Sequence, residues 1–261
     1  MFARLCPLCS ADIPHPLFSQ GKWTLCKCGE CEMVYLPKAP SYSEQSAEYD
    51  WSKTFEVEST RRNKKHPIGR RLTKLISRFR TPPSEAKLRR VLRYASSGSL
   101  LDFGCDTGGF LRSAARHFAV TGLEISVALA SKAAERVPEA TIICAPATKA
   151  KLPSEAFDVI TMFSYLEHEH SPLLALKAAW EALKADCILI VKCPNYASIN
   201  RRLRGPNWCG FRFPDHLNYF TPRTLEQIIR RAGFEPIIGG LFDRLPTSDN
   251  IYMAARKSQQ R

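Results

Sequence analysis

Short apolar runs and amphipathic stretches alternate from residue 99 to the end of the chain. Apolar runs bounded by turn residues predict strands, and apolar positions at helical spacing predict helices. The predicted strands are 99–105, 118–124, 139–145, 157–163, 187–193, 235–241 and 250–257. The predicted helices lie near 109–117, 127–137, 172–185 and 222–232. This alternation predicts an α/β fold with a doubly wound parallel sheet of seven strands.

The first of these strands leads into a glycine-rich turn, within LLDFGCDTGGFL at residues 100–111. A strand, a glycine-rich turn and a helix form a pocket for a nucleotide-type ligand. In a dinucleotide-binding turn a second glycine lets the backbone approach a pyrophosphate, and Asp106 occupies that position here. A carboxylate would repel a pyrophosphate, whereas S-adenosylmethionine carries a sulfonium, an ammonium and no phosphate. The turn therefore favours S-adenosylmethionine over NAD.

Four stretches in order resemble the class I S-adenosylmethionine-dependent methyltransferases, over about residues 99–257. They are DFGCDTGG at 102–109, TGLEIS at 121–126, FDVITMF at 157–163 followed by LEH at 166–168, and VKCPN at 191–195. The resemblance implies a seven-stranded, Rossmann-like methyltransferase sheet whose last strand is antiparallel. It also implies that S-adenosylmethionine is the methyl donor.

The resemblance places the donor between the carboxyl ends of the first and fourth strands. Asp102 would orient its methionine end, although a helix-cap role is the alternative, and Glu124 would hold the ribose hydroxyls. The family usually has glycine where this chain has Asp106, which would strain the turn, although aspartate tolerates left-handed backbone. The complete set of expected cofactor-binding residues is Asp102, Gly104, Asp106, Gly108, Glu124, Ile125 and Phe163.

Two histidines are the expected catalytic residues. His168 ends a segment, 164–168, that resembles the Glu-x-x-Glu-His of ubiquinone-pathway O-methyltransferases, but Ser164 replaces the first acid, so no catalytic divalent metal is expected. His216 lies in an unusually aromatic segment, 206–220, where insertions commonly cap the substrate pocket of this fold. Either histidine could accept a proton from the acceptor, or could have a purely orienting or structural role. We favour His216 as the base.

Residues 1–37 carry a Cys-x-x-Cys pair at Cys6 and Cys9 and a second pair at Cys28 and Cys31. This spacing is typical of a zinc ribbon, and four thiolates leave no open position, so the zinc would be structural. So short a segment would need the metal to fold. Cys26 is an alternative to Cys28 as a ligand, and we prefer Cys28 because x-x spacing lets both sulfurs face one ion.

The basic charge of the chain is concentrated in one segment. The chain has a formal net charge of +13, and residues 61–93 contain thirteen lysines or arginines against one acid, Glu85. Apolar residues at helical spacing predict a basic amphipathic helix there, followed by a second helix from about Ser84. The helix could bind RNA or an acidic membrane surface, or could cover the catalytic domain with its charged face in solvent.

We therefore divide the chain into a zinc ribbon (1–37), a connector with basic helices (38–95) and a methyltransferase domain (96–261).

No apolar run is long enough to cross a membrane and no secretory h-region is evident, so a cytoplasmic location is expected. The predicted function is methyl transfer from S-adenosylmethionine to an oxygen or nitrogen of a small molecule or biosynthetic intermediate. The alternatives are an RNA methyltransferase and a non-enzymatic zinc-ribbon binding module with a degenerate methyltransferase domain.

Overall fold

The computed structural model describes residues 1–42, 44, 82–237 and 246–257. The strands are β1 (Phe2–Ala3), β2 (Pro14–Gln20), β3 (Trp23–Cys28), β4 (Val34–Tyr35), β5 (Lys38–Ala39), β6 (Gly98–Phe103), β7 (Phe118–Glu124), β8 (Thr141–Cys144), β9 (Phe157–Phe163), β10 (Leu183–Pro194), β11 (Asn218–Tyr219), β12 (Phe234–Ile237) and β13 (Asn250–Lys257). The helices are α1 (Pro83–Val91), α2 (Gly109–Ala114), α3 (Val127–Arg136), α4 (Pro172–Ala182), α5 (Ile199–Arg204) and α6 (Pro222–Arg231).

Seven strands form the large sheet, in the order β12-β13-β10-β9-β6-β7-β8. The five neighbouring strands β10, β9, β6, β7 and β8 pair in parallel. Strand β13 is antiparallel to both β10 and β12. The predicted Rossmann-like sheet with an antiparallel last strand is confirmed. Several boundaries differ by a few residues. The largest difference is at the start of β10, where α4 ends at Ala182 and Leu183 already pairs with Phe157 before the strand bulges and resumes at Ile188.

The strands of this sheet form because their side chains are buried on both faces. Leu100 and Leu101 point to opposite faces of β6, and both are fully buried, as a parallel sheet covered by helices requires. Local signals fix the ends of the helices. Ser126 Oγ accepts a hydrogen bond from Leu129 N at the start of α3, and Thr221 forms a capping box at the start of α6.

A second, four-stranded sheet combines distant parts of the chain, in the order β11-β4-β3-β2. Strands β2, β3 and β4 come from the amino-terminal cysteine-rich segment, and β11 pairs antiparallel with β4. Trp23 and Leu25 on β3 share an apolar core with Trp208 and Tyr219. The amino-terminal segment and the aromatic segment 206–220 therefore share one sheet and one core.

Helix α1 is the second helix that the sequence predicts after the basic stretch, and it buries Leu88 and Val91. The preceding part of that stretch, residues 61–81, lies outside the described residues. Among the helices that the structure describes, none is both long enough and apolar enough to span a membrane.

Candidate active site

A cavity of about 500 Å³ opens at the carboxyl ends of the central strands β6, β7, β9 and β10. This is the edge where strand order reverses and where open α/β sheets bind ligands. The glycine-rich turn after β6 and the end of β7 contribute to its lining. Residues within 163–169 and the aromatic segment line it as well.

The glycine-rich turn is built from left-handed residues. Gly104, Asp106 and Gly108 have φ angles of 71°, 51° and 74°. A Cβ at Gly104 would lie 2.9 Å from Tyr165 Cδ2, so the turn leaves no room for a side chain there. Asp106 adopts the conformation of the glycine that it replaces, which aspartate tolerates better than most residues.

Glu124, the last residue of β7, lines the cavity and connects the turn after β6 to the turn after β7. Its Oε2 accepts a hydrogen bond from Asp106 N at 3.0 Å, and its Oε1 accepts one from Ser126 N at 2.9 Å. Burial raises the pKa of the Glu124 carboxyl, and the two backbone N–H groups oppose that rise. The turn after β6 and the turn after β7 are thus held together by one carboxylate that lines the cavity.

Two of the expected cofactor residues lie outside the set that lines the cavity. Asp102 is 2% exposed, and its Oδ1 accepts a hydrogen bond from Thr161 Oγ1 at 2.6 Å. Burial raises the pKa of Asp102 to about 7. Gly108 allows α2 to approach α3, because a Cβ there would lie 3.2 Å from Ala133 Cα. The expected residues that do line the cavity are Gly104, Asp106, Glu124, Ile125 and Phe163.

Both histidines line the cavity, with their rings edge-to-face and their centroids 4.7 Å apart. His168 Nδ1 lies 2.9 Å from Asp215 Oδ1 and 3.0 Å from Asp215 O. Both partners are acceptors, so Nδ1 carries a proton. Burial lowers the pKa of His168, but the Asp215 carboxylate outweighs burial and raises that pKa to about 9. His168 is therefore a cation at neutral pH.

His216, in contrast, is uncharged. Its Nδ1 lies 2.8 Å from Gly210 O, which can only accept, so this nitrogen also carries a proton. Burial and the neighbouring positive charge of His168 hold the pKa of His216 well below its usual value. His216 is neutral at pH 7, and its Nε2 carries a lone pair.

Glu167 completes a cluster with the two histidines. It is 1% exposed, and its Oε2 is buried without a hydrogen-bond partner among the described residues. One potential ligand atom from each of Glu167, His168 and His216 lies within 4.8 Å of the others, so the cluster could hold a cation. Ser164, at the position of the missing acid, instead accepts a hydrogen bond from Lys192 Nζ at 2.6 Å.

The four cysteines of the two pairs come together away from the cavity. Cys6 Sγ lies 3.4 Å from Cys31 Sγ, Cys9 Sγ lies 3.5 Å from Cys28 Sγ, and all four sulfurs lie within 4.8 Å of one another. Tetrahedral Zn–S bonds place sulfurs about 3.8 Å apart, so the donor set fits zinc. Cys26 stands outside this group, with its Sγ 3.9 Å from Thr24 O.

Several cavity residues were not singled out by sequence reasoning. Asp215 orients His168 from 47 residues away, and Glu169 accepts hydrogen bonds from Tyr42 and Tyr165. Lys87 of α1 also lines the cavity, although the sequence offered it only as one charge in a basic stretch. Asp215 lies next to His216 in an aromatic, histidine-containing loop, which was the one local signal for it.

A family model for the methyltransferase domain matches residues 65–237. A search of curated proteins finds no match. Among solved structures, the chain is similar to an S-adenosylmethionine-dependent methyltransferase from Thermotoga maritima (TM-score 0.53, 21% identity, 67% of this chain and 89% of that chain). It is also similar to one from Mesorhizobium loti (TM-score 0.54, 19% identity, 66% and 97%). A third similar structure is phosphoethanolamine N-methyltransferase 2 of Haemonchus contortus, in complex with phosphomonomethylethanolamine and S-adenosylhomocysteine (TM-score 0.51, 17% identity, 67% and 52%).

At these identities the solved structures establish the fold, whereas the family match spans well over half of the chain. It includes the glycine-rich turn, Glu124 and the cluster around His168. The chain therefore belongs to the methyltransferase-domain family and is a class I S-adenosylmethionine-dependent methyltransferase.

Proposed function

We propose that the chain transfers a methyl group from S-adenosylmethionine to an oxygen or nitrogen of a small-molecule acceptor, with His216 as the proton acceptor. The observation that carries this proposal is the pairing of a neutral His216 with a cationic His168 in the same cavity that the glycine-rich turn and Glu124 line.

The residues of the turn fit the methyl donor. Glu124 would hold the ribose hydroxyls, Ile125 would pack on the adenine, and Gly104 has no Cβ to obstruct the methionine portion. Asp106 and Glu124 place negative charge where the donor carries its positive charges. The donor, when bound, supplies a methyl group on a sulfonium, which is electrophilic.

The acceptor atom must lose a proton when it takes the methyl group, and His216 can accept that proton. His216 Nε2 carries the lone pair, because Nδ1–H is held by Gly210 O. His168 is held in the wall of the pocket by its ion pair with Asp215. General-base assistance of this kind contributes typically about 10²–10⁴ in rate.

A small acceptor is favoured by how the aromatic segment encloses the cavity. Trp208, Gly210 and Arg212 form one wall, and this wall is held in place because β11 pairs with β4. An RNA acceptor would rely on residues 61–93, of which 82–93 are described. Within that part, α1 buries Leu88 and Val91 and contributes Lys87 to the cavity lining, which supports packing against the catalytic domain.

We also propose that Cys6, Cys9, Cys28 and Cys31 bind one structural zinc ion and that residues 1–37 form a zinc ribbon. The sulfur separations and the set of four thiolate donors support a closed site. The division into residues 1–37, 38–95 and 96–261 is part of this proposal.

The test measures formation of S-adenosylhomocysteine against a panel of phenols, amines and short RNAs. Wild type should act on a phenol or an amine with a rate that changes little between about 50 and 200 mM salt, whereas RNA binding would weaken steeply over that range. His216→Gln should lower turnover at least about 100-fold, with little change in S-adenosylmethionine affinity. His117→Gln, at an exposed position, is the matched control.

Three outcomes would contradict the proposal. Activity on RNA alone would replace the acceptor class. Near-normal turnover of His216→Gln would remove the base. Loss of activity on treatment with a chelator, with the cysteine site still loaded, would indicate that Glu167, His168 and His216 act through a bound cation instead.

A further inference from the structure

Helix α1 is anchored to the methyltransferase domain by contacts on two of its sides. Glu85 accepts hydrogen bonds from Arg116 Nη2 at 2.7 and 2.8 Å, which ties α1 to the segment after α2. On the other side, the Arg90 guanidinium lies 3.5 Å from the ring centroid of Tyr252 on β13. A side chain on the face between these anchors is therefore held in a defined place.

Lys87 is on that face. It lines the cavity, and its Nζ lies 5.3 Å from the ring centroid of Phe163 and 5.7 Å from that of Phe110. Among the described residues, these ring contacts are its only direct interactions. Its positive charge opposes the effect of burial on the pKa of Asp102 on β6.

The other cations that line the cavity have partners. Lys192 Nζ donates a hydrogen bond to Ser164 Oγ, and His168 pairs with Asp215. Arg212 belongs to the aromatic segment and has interactions of its own. Of the cations that line the cavity in the described part of the chain, Lys87 is therefore the one that remains available to a ligand.

The methyl donor carries three charged groups: a sulfonium, an ammonium and a carboxylate. Asp106 and Glu124 suit the two cations, but the same acids would repel the carboxylate. A carboxylate in a partly buried site needs a charged hydrogen-bond donor to replace the water it loses.

We propose that Lys87 binds the carboxylate of the methionine portion of S-adenosylmethionine. This inference rests on the proposed cofactor site. It gives one residue of the basic segment a task inside the catalytic domain, so that its positive charge serves a small anion rather than a polyanionic partner.

The test compares two ligands by calorimetry: S-adenosylmethionine and its decarboxylated analogue, which keeps the sulfonium and lacks the carboxylate. Lys87→Met should weaken S-adenosylmethionine binding about 10- to 100-fold, the range for loss of a charge-assisted hydrogen bond. It should change affinity for the decarboxylated analogue less than about twofold. Arg89→Met removes a charge from the exposed face of the same helix and should leave both affinities unchanged.

The outcomes separate this inference from the proposed function. If wild type binds neither ligand, the cofactor site is wrong. If wild type binds S-adenosylmethionine and Lys87→Met weakens both ligands equally or neither, the cofactor site stands and the role of Lys87 is refuted. A circular-dichroism melt shows whether the variant is folded, and Lys87→Arg, which keeps the charge, should recover most of the lost affinity if the inference holds.

Discussion

Replacing Arg4 with methionine should destabilise the whole protein, because Arg4 connects three parts of the chain. Arg4 is 7% exposed, and burial lowers its pKa to about 10, still well above neutrality, so the guanidinium is charged. It donates hydrogen bonds to Leu36 O at 3.2 Å, His170 O at 2.8 Å and Asn218 Oδ1 at 2.9 Å. Methionine would leave all three buried acceptors without this donor.

The expected loss can be worked out from these contacts. A hydrogen bond to a charged group contributes about 1.5–3 kcal/mol, and bonds that share one side chain are not additive. The expected loss is therefore about 3–5 kcal/mol, in line with the removal of one partner from a buried ionic site. At about 2–4 °C per kcal/mol for a chain of this size, the melting temperature should fall by roughly 6–20 °C.

The assay is urea unfolding followed by circular dichroism and tryptophan fluorescence, with zinc present. The control is Arg223→Met, because Arg223 also links the amino-terminal segment to the rest of the chain but does so through one ion pair with Glu32, and its side chain is 69% exposed. An exposed pair contributes about 1 kcal/mol or less. The reasoning is refuted if Arg4→Met costs no more than the control, or if the amino-terminal segment unfolds in a separate transition.

Three further predictions concern the donor, the metal and pH. Glu124→Gln should weaken S-adenosylmethionine binding about 10- to 100-fold by calorimetry, and an unchanged affinity would argue against the ribose contact. Elemental analysis should find one zinc per chain, which Cys31→Ser should abolish and Cys26→Ser should retain; equal loss in both would mean that Cys26 takes part. Because the pKa of His168 is raised to about 9 from about 6.5 in the unfolded chain, its pairing with Asp215 stabilises the fold fully below about pH 6.5. This stabilisation should be lost as pH rises through about 9, and Asp215→Asn should remove that dependence from urea titrations at several pH values.

Local sequence signals predicted the large sheet and the part of the cavity lining formed by the glycine-rich turn and Glu124. The central strands were readable because they contain short apolar runs that are buried on both faces, such as residues 100–101 and 188–191. Gly104 and Glu124 were readable because a turn with left-handed residues and an acid after the second strand each depend on a few neighbouring positions. The placement of Asp102 behind the cavity wall was not readable, since it depends on Thr161 of a neighbouring strand.

The part of the cavity lined by the two histidines depends on contacts between distant segments. The charge states of His168 and His216 are set by Asp215 and by the contact of the two rings, and no spacing rule encodes either. Strand β11 has two residues and no alternation of its own; it is a strand because β4 lies beside it. Lys87 differs from the other cations of its segment by the face of α1 that carries it, which a count of charges does not reveal.

The pairing of β11 with β4 also sets an order of events during synthesis. About 180 residues separate Tyr35 from Asn218, its partner across the two strands. At about 5–20 residues per second, a ribosome needs about 10–40 s to reach the second strand after completing the first. Throughout that interval the outer edge of β4 is an open edge strand, which can pair with other chains. The sheet that begins with β2–β4 is thus completed late, and nascent chains should be most prone to aggregate before residue 219 leaves the exit tunnel.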